Sequence, residues 1–373
     1  MKSVLFLSLM NGSAWGGSEE IWYKTALWMA DNNYTVDVCC YDWDEKKSRL
    51  SELEKRGGTV HLLPSKKILK SVFGKWKLQQ RLKNIPFEKY DFVFINQGSW
   101  NDVVYGPLKH LYKRLTSYAL CSHNYNVNDT LSKHKTSIYS HWINNACVNM
   151  AATEKVFDTI KQNLHITVPK QKVIYNPITF AVPQYITPYP ALNNQYIWIM
   201  LAELDNYRKA QDILIKTLST EKWMQRNWVL HLYGKGKDEA SLRQLIIDLD
   251  LQKKIILKGH TNNVQEALRS CHFLFQITRV DAMPLSVVEA MAMARPCIVS
   301  NVGEMPKWVQ NGITGFVSEG ATIEDIDATL EECWLQRNDW KTLGENAYTV
   351  FTEKYPQPYE AKMVELLESY YSK

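Results

Sequence analysis

Short apolar runs rich in β-branched and aromatic residues alternate along the chain with amphipathic segments of helical length. This alternation is typical of parallel sheets whose strands are joined by crossover helices. The first half of the sequence predicts strands at 4–10, 35–41, 60–64, 92–96, 118–122, 147–149 and 172–175. The second half predicts strands at 197–201, 229–233, 255–257, 273–276 and 296–300. We therefore expect an α/β protein with two doubly wound, Rossmann-like domains in tandem.

A proline-rich segment separates the two series of strands. Four prolines lie between Pro177 and Pro190, and such a segment continues neither a helix nor a central strand. It is interpreted as an interdomain linker, with one domain at 1–183 and the other at 184–356. A final helix is predicted at 359–371, after two prolines.

A glycine-rich turn follows the first predicted strand. Gly12, Gly16 and Gly17 favour an open backbone there, and Ser18 is a good N-cap for the helix that follows. The amides at such a helix start suit a phosphate or a hydroxyl group. The turn has neither the GxGxxG spacing of dinucleotide-binding proteins nor the GK[ST] of a P-loop, so an ordinary strand-to-helix turn is equally compatible with it.

Two carboxylates flank a second strand-to-helix turn. Asp281 precedes the helix predicted at 286–294, and Glu289 lies about one turn inside it. A carboxylate there can accept hydrogen bonds from the vicinal hydroxyls of a ribose, while amides at the helix start receive a diphosphate. By spacing alone, a capping acid and a solvated acid would be the better explanation of the pair.

The segment resembles the E-x7-E region of glycosyltransferase family 4, whose members are retaining enzymes with the GT-B architecture. Further motifs fall in the order of that family: WGGSEE at 15–20, SHN at 122–124, YNP at 175–177, AELDNYRKAQDILI at 202–215, LYGKG at 232–236, LKGH at 257–260 and NGITGFV at 311–317. The resemblance covers nearly the whole chain and is loosest from about 45 to 115. An ordered set of motifs is far more specific than any single motif.

The resemblance implies two Rossmann-like domains facing across a cleft. The first would bind the acceptor, with 357–373 packing back on it, and the second would bind a nucleoside-diphosphate sugar. Lys209 would neutralise the diphosphate, while His123 and Asp281 would contact the transferred sugar. Glu289 would hold the ribose. The other substrate-binding positions would be Gly16, Gly17, Glu203, Arg208, Gly259, His260, Arg279, Ala282, Met283, Pro284 and Leu285.

Two positions depart from the family pattern. The first acid is usually Glu and here is Asp281, which is one methylene shorter. Glu203 stands where similar proteins commonly carry an arginine that pairs with the diphosphate. At a separation of about 5 Å this exchange would cost several kcal/mol. Glu203 could turn away from the phosphates, Arg208 or Arg279 could compensate, or the activity could be weak; we favour compensation by Arg279.

A basic amphipathic stretch lies at 66–83. It has seven basic residues and no acidic one, interleaved with apolar residues that include Phe73 and Trp76. This pattern predicts a helix that contacts an anionic membrane, and a solvated helix packed on the first domain is the alternative. No nucleic-acid-binding motif accompanies it, so we expect no nucleic-acid partner.

The cysteines and the apolar runs indicate the compartment of the protein. The seven cysteines contain no CxxC pair and mostly lie in apolar runs, which favours reduced thiols in a cytoplasmic protein. The basic stretch would place this protein at the inner face of the plasma membrane. The first residues lack a clear signal-peptide cleavage site, and no apolar run is long enough to span a membrane.

We expect no obligatory metal or other cofactor. Three D-x-D pairs occur, at 42–44, 248–250 and 325–327, so the pattern that marks metal-dependent transferases is near chance here. The sequence favours a retaining glycosyltransferase that transfers a sugar, from a UDP or GDP donor, to a glycan or lipid-linked acceptor, as in polysaccharide biosynthesis. A non-catalytic protein that binds sugar nucleotides remains as an alternative, favoured by Glu203. A nucleotide-sugar epimerase fits the motifs less well.

Overall fold

The structure is a computed structural model, and it describes residues 2–10, 14–69, 71–123, 129–191 and 195–371. The chain divides into two compact units. The first comprises Met1–Pro177 together with Pro356–Lys373, and the second comprises Ile178–Tyr355.

Within the described residues, the first unit holds a seven-stranded parallel sheet with the order β3-β2-β1-β4-β5-β6-β7. Its strands are β1 Ser3–Ser8, β2 Thr35–Tyr41, β3 Thr59–Leu63, β4 Phe92–Gln97, β5 Tyr118–Ser122, β6 Val148–Ala151 and β7 Gln171–Val173. Its helices are α1 Gly17–Asp31, α2 Lys47–Glu54, α3 Lys66–Leu69, α4 Val72–Lys83, α5 Asn101–Val104, α6 Lys133–Asn145 and α7 Glu154–Leu164, and 3-10 turns lie at Asp44–Lys46, Phe87–Lys89, Gly106–Leu108 and Leu111–Arg114.

The central strands of this sheet are buried on both faces, as expected of a parallel sheet covered by helices. Ser8 of β1 pairs in register with Cys40 of β2 and with Asn96 of β4, so the carboxyl ends of these strands lie side by side. The strand order reverses between β1 and β4, which is where ligands bind in doubly wound folds.

The last helix of the chain, α17 (Tyr359–Tyr371), packs within the first unit. Glu368 pairs with Lys2 and accepts a 2.7 Å hydrogen bond from the Tyr34 hydroxyl. The Tyr371 ring lies 5.1 Å from that of Phe92, between ring centroids. The end of the chain therefore stabilises the fold of its beginning.

The second unit holds a six-stranded parallel sheet among the described residues, with the order β10-β9-β8-β11-β12-β13. The strands are β8 Tyr196–Leu201, β9 Trp228–Tyr233, β10 Ile255–Gly259, β11 Phe273–Gln276, β12 Cys297–Ser300 and β13 Gly315–Ser318. The helices are α8 Asn206–Lys209, α9 Gln211–Leu218, α10 Glu221–Met224, α11 Glu239–Asp248, α12 Val264–Ser270, α13 Leu285–Ala292, α14 Met305–Trp308, α15 Ile323–Leu335 and α16 Trp340–Lys354, with a 3-10 turn at Arg337–Asp339.

The predicted α/β class with two doubly wound sheets is confirmed. Each predicted strand corresponds to an observed one within a few residues, and β13 was missed. The cysteines are free thiols, and burial raises the pKa of Cys40 and Cys271 to about 12. Among the described residues, no helix combines the length and the apolar character needed to cross a membrane.

The proline-rich segment belongs to the second unit from Ile178 onward. The buried guanidinium of Arg295 donates to the carbonyl oxygens of Thr187 and Pro188, at 3.4 and 2.8 Å. The Tyr348 hydroxyl donates to the carbonyl oxygen of Pro183 at 3.0 Å. The segment is thus packed onto the second unit rather than extended as a free linker.

The basic stretch is interrupted, whereas one continuous helix was predicted. The helix α3 ends at Leu69 and α4 begins at Val72, after the N-cap Ser71, whose hydroxyl accepts a 2.9 Å hydrogen bond from the Gly74 amide. A Cβ atom on Gly74 would lie 1.9 Å from the carbonyl oxygen of Ile68, so only glycine fits this close turn.

Candidate functional site

In the second unit, the strand order reverses between β8 and β11, and the loops after these strands touch. The amide of Arg279, after β11, donates to the carbonyl oxygen of Arg208, after β8, at 2.7 Å. The Thr278 hydroxyl donates to the same oxygen at 2.6 Å. Since ligands of doubly wound sheets bind at such a switch point, these two loops form the candidate site of the unit.

Lys209 and Asp281, one from each loop, form an ion pair at this switch point. The Lys209 side chain is 10% exposed and that of Asp281 20% exposed. Lys209 ends the short helix α8, whose N-cap Asp205 accepts a hydrogen bond from the Arg208 amide at 3.2 Å. The structure therefore brings together two of the residues that were predicted to act on the donor.

Glu203 pairs with Arg208, whose Nε also donates to the Asp205 carboxylate at 3.0 Å. Burial raises the pKa of Asp205, but the hydrogen bonds and charge of Arg208 outweigh it, and the net pKa is lowered. Arg279, which we favoured as the compensating cation, instead donates to the carbonyl oxygen of Asn206 at 2.7 Å. The cation that neutralises Glu203 is Arg208.

The loop that follows Asp281 leads directly into helix α13. Pro284 is the N-cap of this helix, and no side chain caps it. Of the positions 282–285 predicted to offer amides to a diphosphate, Pro284 has no N–H group, so that part of the prediction was wrong. Ala282, Met283 and Leu285 keep theirs.

Gly303 supports this loop from the end of β12. Its φ is +63°, and a Cβ atom there would lie 2.1 Å from the carbonyl oxygen of Ala282. The same carbonyl accepts a 2.8 Å hydrogen bond from the Glu304 amide. The position of the loop therefore depends on a residue without a side chain at 303.

Glu289 is 3% exposed, on the first part of α13. Its Oε1 atom accepts hydrogen bonds from the amide and the hydroxyl of Thr179, at 2.9 and 2.6 Å. Thr179 lies near the start of the second unit. No local pattern predicts this contact, because the two residues are 110 positions apart.

Gly259 and His260 lie at the end of β10, separated from β8 by β9 in the sheet. The Gly259 carbonyl accepts a 2.9 Å hydrogen bond from the Gly234 amide, which ties this loop to the one after β9. His260 is exposed, and its Nε2 lies 3.1 Å from Oδ1 of Asn262. Both residues are at the carboxyl edge of the sheet, as predicted.

In the first unit, helix α1 begins at Gly17 with Gly16 as its N-cap, so the predicted N-cap Ser18 was wrong. Gly16 has an extended backbone with φ of −175°, and a Cβ atom there would meet nothing within 4 Å. The fold therefore does not itself require glycine at 16, which is compatible with a ligand approaching there. Gly12 lies outside the described residues.

His123 follows β5 directly, at the carboxyl edge of the sheet in the first unit. Its Nε2 lies 2.7 Å from Oδ1 of Asn96, the penultimate residue of β4. Burial lowers the pKa of His123 from 6.5 to about 4, so the ring is neutral near pH 7. The SHN motif extends to Asn124, which lies outside the described residues.

A buried carboxylate that we did not predict, Glu19, lies beneath the same edge. It pairs with the fully buried Lys46 and accepts hydrogen bonds from Ser8 and Asn96. The signal in the sequence was a polar residue, Asn96, closing an otherwise apolar strand, together with an acid in the first turn of α1.

The first unit also carries an exposed apolar patch on α4. Val72, Phe73 and Trp76 are 84, 64 and 53% exposed, and the rings of Phe73 and Trp76 stack with centroids 5.7 Å apart. Leu78 and Leu82, on the opposite side of the helix, are buried. Within the described parts of the chain, no cluster of three or more His, Cys, Asp or Glu side chains is placed to hold a metal ion.

Comparisons with known proteins show what this chain resembles. Residues 185–350 match the family model described as glycosyl transferases group 1. A segment of 174 residues is 28% identical to the N-acetyl-alpha-D-glucosaminyl L-malate synthase of Bacillus anthracis, over 45% of this chain and 46% of that enzyme. Another of 151 residues is 26% identical to the poly(ribitol-phosphate) alpha-N-acetylglucosaminyltransferase of Staphylococcus aureus, over 39% of this chain and 30% of that enzyme. Residues 185–350, within the second unit, are therefore similar to glycosyl transferases of group 1.

The matched segments span about half or less of these relatives' length. Solved structures extend the similarity in fold to nearly the whole chain. A glycosyltransferase from Rickettsia africae has a TM-score of 0.79 at 16% identity, covering 99% of this chain and 98% of that one. HepE of Anabaena in complex with UDP has a TM-score of 0.75 at 18% identity, covering 99% and 100%. The architecture is therefore GT-B.

Proposed function

We propose that the chain is a retaining glycosyltransferase that transfers a sugar from a nucleoside-diphosphate sugar to a glycan or lipid-linked acceptor. The observation that carries this proposal is the switch point of the second unit. There a cation, Lys209, and an acid, Asp281, lie beside a helix start that no side chain caps. A leaving nucleoside diphosphate needs fixed positive charge and amide donors of this kind.

The roles within this site follow from the chemistry of each group. Lys209 would exchange its partner Asp281 for the diphosphate when the donor binds, and Asp281 would then accept hydrogen bonds from the sugar. Glu289, held by Thr179, would accept from the ribose hydroxyls. His123, from the first unit, would contact the transferred sugar.

We favour UDP as the nucleotide and retention as the stereochemical course. HepE of Anabaena is a structural neighbour seen with UDP, and the Staphylococcus aureus relative is named for an alpha product. Retention yields an alpha product when the nucleotide sugar is alpha-linked. We propose that the acceptor hydroxyl attacks the anomeric carbon from the face of the leaving diphosphate, whose oxygen takes the proton of that hydroxyl as its bond to the sugar breaks. We further propose that no metal is obligatory, with Lys209 supplying the charge.

A donor screen tests this proposal. The full chain is incubated with UDP- and GDP-sugars and with glycan or polyprenyl-phosphate acceptors, in the presence and absence of EDTA, and NMR reads the anomeric configuration of the product. We expect turnover of a UDP-sugar, an alpha product from an alpha donor, and no effect of EDTA. A beta product would contradict retention, and loss of activity with EDTA would contradict metal independence.

A second candidate function is non-catalytic binding of sugar nucleotides, and Glu203 is the observation that favours it. Paired with Glu203, Arg208 is occupied and less available to a diphosphate. This candidate predicts donor binding without turnover across the whole acceptor screen. Interconversion of the donor sugar without transfer would instead favour an epimerase.

We also propose that α4 contacts an anionic membrane, which would bring the enzyme to a lipid-linked acceptor at the inner face of the plasma membrane. The exposed Phe73 and Trp76 rings can enter the interface, and the exposed cations Lys75, Arg81 and Lys83 flank them. Residues 66–83 contain no acid that would repel an anionic surface. Aromatic rings with lysine and arginine are the composition of interfacial helices.

Vesicle sedimentation tests this contact. We expect the chain to bind vesicles containing phosphatidylglycerol more tightly than pure phosphatidylcholine vesicles, with the difference reduced at high salt. Replacing Phe73 and Trp76 by Ser should abolish binding. Leu335→Ser, at a residue that is 69% exposed in the second unit, is the matched control and should bind normally. Equal binding to both vesicle types would contradict the proposal.

A further inference from the structure

Glu19 is the centre of a buried polar network in the first unit. Both of its carboxylate oxygens lie 2.9 Å from the Ser8 hydroxyl, and Oε2 lies 3.0 Å from Nδ2 of Asn96. The ammonium of Lys46 and the indole N–H of Trp22 also donate to it. Glu19 is 1% exposed and Lys46 0%, so water does not compete for these contacts.

This network fixes the orientation of the Asn96 side chain. A carboxylate paired with an ammonium only accepts hydrogen bonds, so the Asn96 amide must direct its NH2 group at Glu19. Its Oδ1 then faces the other way, 2.7 Å from Nε2 of His123. The assignment of the nitrogen and the oxygen of the Asn96 amide therefore follows from the hydrogen bond to Glu19, which can only accept.

The orientation of Asn96 in turn fixes the proton on His123. An amide oxygen only accepts, so Nε2 of His123 must be the donor and carry the proton. A neutral imidazole with its proton on Nε2 has a lone pair on Nδ1. The Nδ1 atom is thus an acceptor, which suits the O–H group of a sugar.

We propose that Glu19 and Asn96 are positioning residues that hold His123 in its Nε2–H tautomer, so that Nδ1 accepts a hydrogen bond from a hydroxyl of the transferred sugar. The tautomer follows from the first unit alone, and only its use by a sugar rests on the proposed function. Neither Glu19 nor Asn96 touches the substrate in this arrangement. Their contribution is to prevent the opposite tautomer, which would point an N–H at a ligand hydroxyl.

Among the described residues, the Cys121 thiol also lies near Nε2 of His123, at 3.5 Å. Its removal serves as the control. Sulfur is a weak acceptor, and the distance is longer than that to Asn96, so it should not set the tautomer. Cys121→Ala therefore removes a neighbour of the same ring nitrogen without removing the proposed determinant.

The direct test is NMR of the 15N-labelled full chain without ligand. Long-range 1H–15N correlations of the histidine rings report which nitrogen carries the proton, and the His123 signals are assigned by their loss in His123→Gln. Near pH 7 we expect the Nε2–H pattern for His123. A Nδ1–H pattern or a protonated ring would overturn the proposal, whatever the enzyme does with a donor.

Variants then test what sets the tautomer. In Asn96→Leu, and in the double variant Glu19→Gln with Lys46→Met, which leaves no unpaired buried ammonium, we expect the Nδ1–H tautomer to become a substantial part of the population. Cys121→Ala should keep the wild-type pattern. If Asn96→Leu does not fold, Asn96→Ala, which also offers no side-chain acceptor, replaces it. A folded Asn96 variant that retains the pure Nε2–H form would overturn the assignment of Asn96.

Deoxy donors test the use of Nδ1. Once an active donor is known, analogues that lack one sugar hydroxyl at a time are compared in the wild type and in His123→Ala. For one hydroxyl we expect kcat/KM to fall about tenfold in the wild type and to be nearly unchanged in the variant. If every hydroxyl has the same effect in both proteins, Nδ1 does not contact the sugar, even if transfer itself is established.

Discussion

Lys209 and Asp281 are 72 positions apart in the sequence and form an ion pair at the switch point of the second sheet. Both side chains are mostly buried, so each charge depends on the other for its stability in the unliganded protein. In the proposed function, a bound diphosphate replaces Asp281 as the partner of Lys209. The free energy of unfolding of this unit therefore depends on whether Lys209 pairs with Asp281 or with a bound diphosphate.

The first prediction concerns this pair. Lys209→Ala leaves Asp281 without its cation and should lower the free energy of unfolding by about 2 kcal/mol, somewhat less than for a fully buried pair. The double variant with Asp281→Ala should recover part of that loss, because no unpaired charge remains. Thermal or urea unfolding of the four proteins measures the coupling. Strictly additive effects of the two substitutions would show that the pair contributes nothing.

The second prediction concerns Glu203. Glu203→Ala releases the Nη2 end of the Arg208 guanidinium, whose Nε stays bonded to Asp205, and the released N–H groups beside the site should attract the diphosphate. We expect UDP to bind about three- to tenfold more tightly, as measured by titration calorimetry. Glu239→Ala, which removes an acid paired with Arg243 on the surface of the same unit, is the control. Unchanged or weaker binding in Glu203→Ala would show that Arg208 does not reach the phosphates.

The third prediction concerns the contact between Thr179 and Glu289. Thr179→Val removes the hydroxyl that donates to Glu289, while Thr179→Ser keeps it. If Glu289 holds the ribose, Thr179→Val should weaken UDP binding about fivefold and have a smaller effect on 2′-deoxy-UDP. Calorimetry with both nucleotides decides this. The same loss for both nucleotides would point to a general disturbance of α13.

The sequence predicted the two sheets well because their strands are continuous apolar runs, buried on both faces. It failed where tertiary contacts decide the local structure. The strand β13 has only four residues and begins with Gly315, at a φ of +156°. It does not show the apolar pattern by which the other strands were predicted. The break between α3 and α4 depends on the close approach of Gly74 to Ile68, which no periodicity reveals.

In the candidate site, too, the sequence predicted residues that lie in local motifs and missed residues whose role depends on tertiary contacts. Lys209, Asp281 and Glu289 could be found because the motifs around them are local in sequence. Thr179 and Glu19 could not, because their importance lies in hydrogen bonds to residues on other elements. The ion pair between Glu203 and Arg208 could not be predicted either, since it depends on how the chain after β8 folds back on itself.

The fourth prediction is a pH dependence that arises from His123. Its pKa is lowered by burial from 6.5 to about 4, so the unfolded chain binds the proton more readily than the folded one. Stability due to this residue is fully present above about pH 6.5 and is lost as the pH falls towards 4, by on the order of 2 kcal/mol. In His123→Gln, the unfolding temperature should fall less steeply across this window. Parallel curves for the two proteins would contradict the neutral, buried ring.

The fifth prediction concerns the backbone of the loop that begins at Asp281. Gly303→Ala places a side chain where φ is +63° and where the Ala282 carbonyl oxygen is 2.1 Å away. We expect a loss of at least about 1–3 kcal/mol in stability and weaker UDP binding, because the loop must move. Gly312→Ala has a similar φ of +70° but meets no neighbour within 4 Å. It should therefore lose stability without losing affinity for UDP.

The central claim is that the switch point of the second unit performs sugar transfer. The most direct measurement is the turnover of the best UDP-sugar donor by the wild type, by Lys209→Ala and by Lys253→Ala, which removes an exposed lysine of the same unit. We predict that Lys209→Ala lowers kcat at least about a hundredfold, as expected when a group that stabilises a leaving phosphate is lost, and that Lys253→Ala is unaffected. Equal turnover by a folded Lys209→Ala protein and the wild type would contradict the assignment of this site.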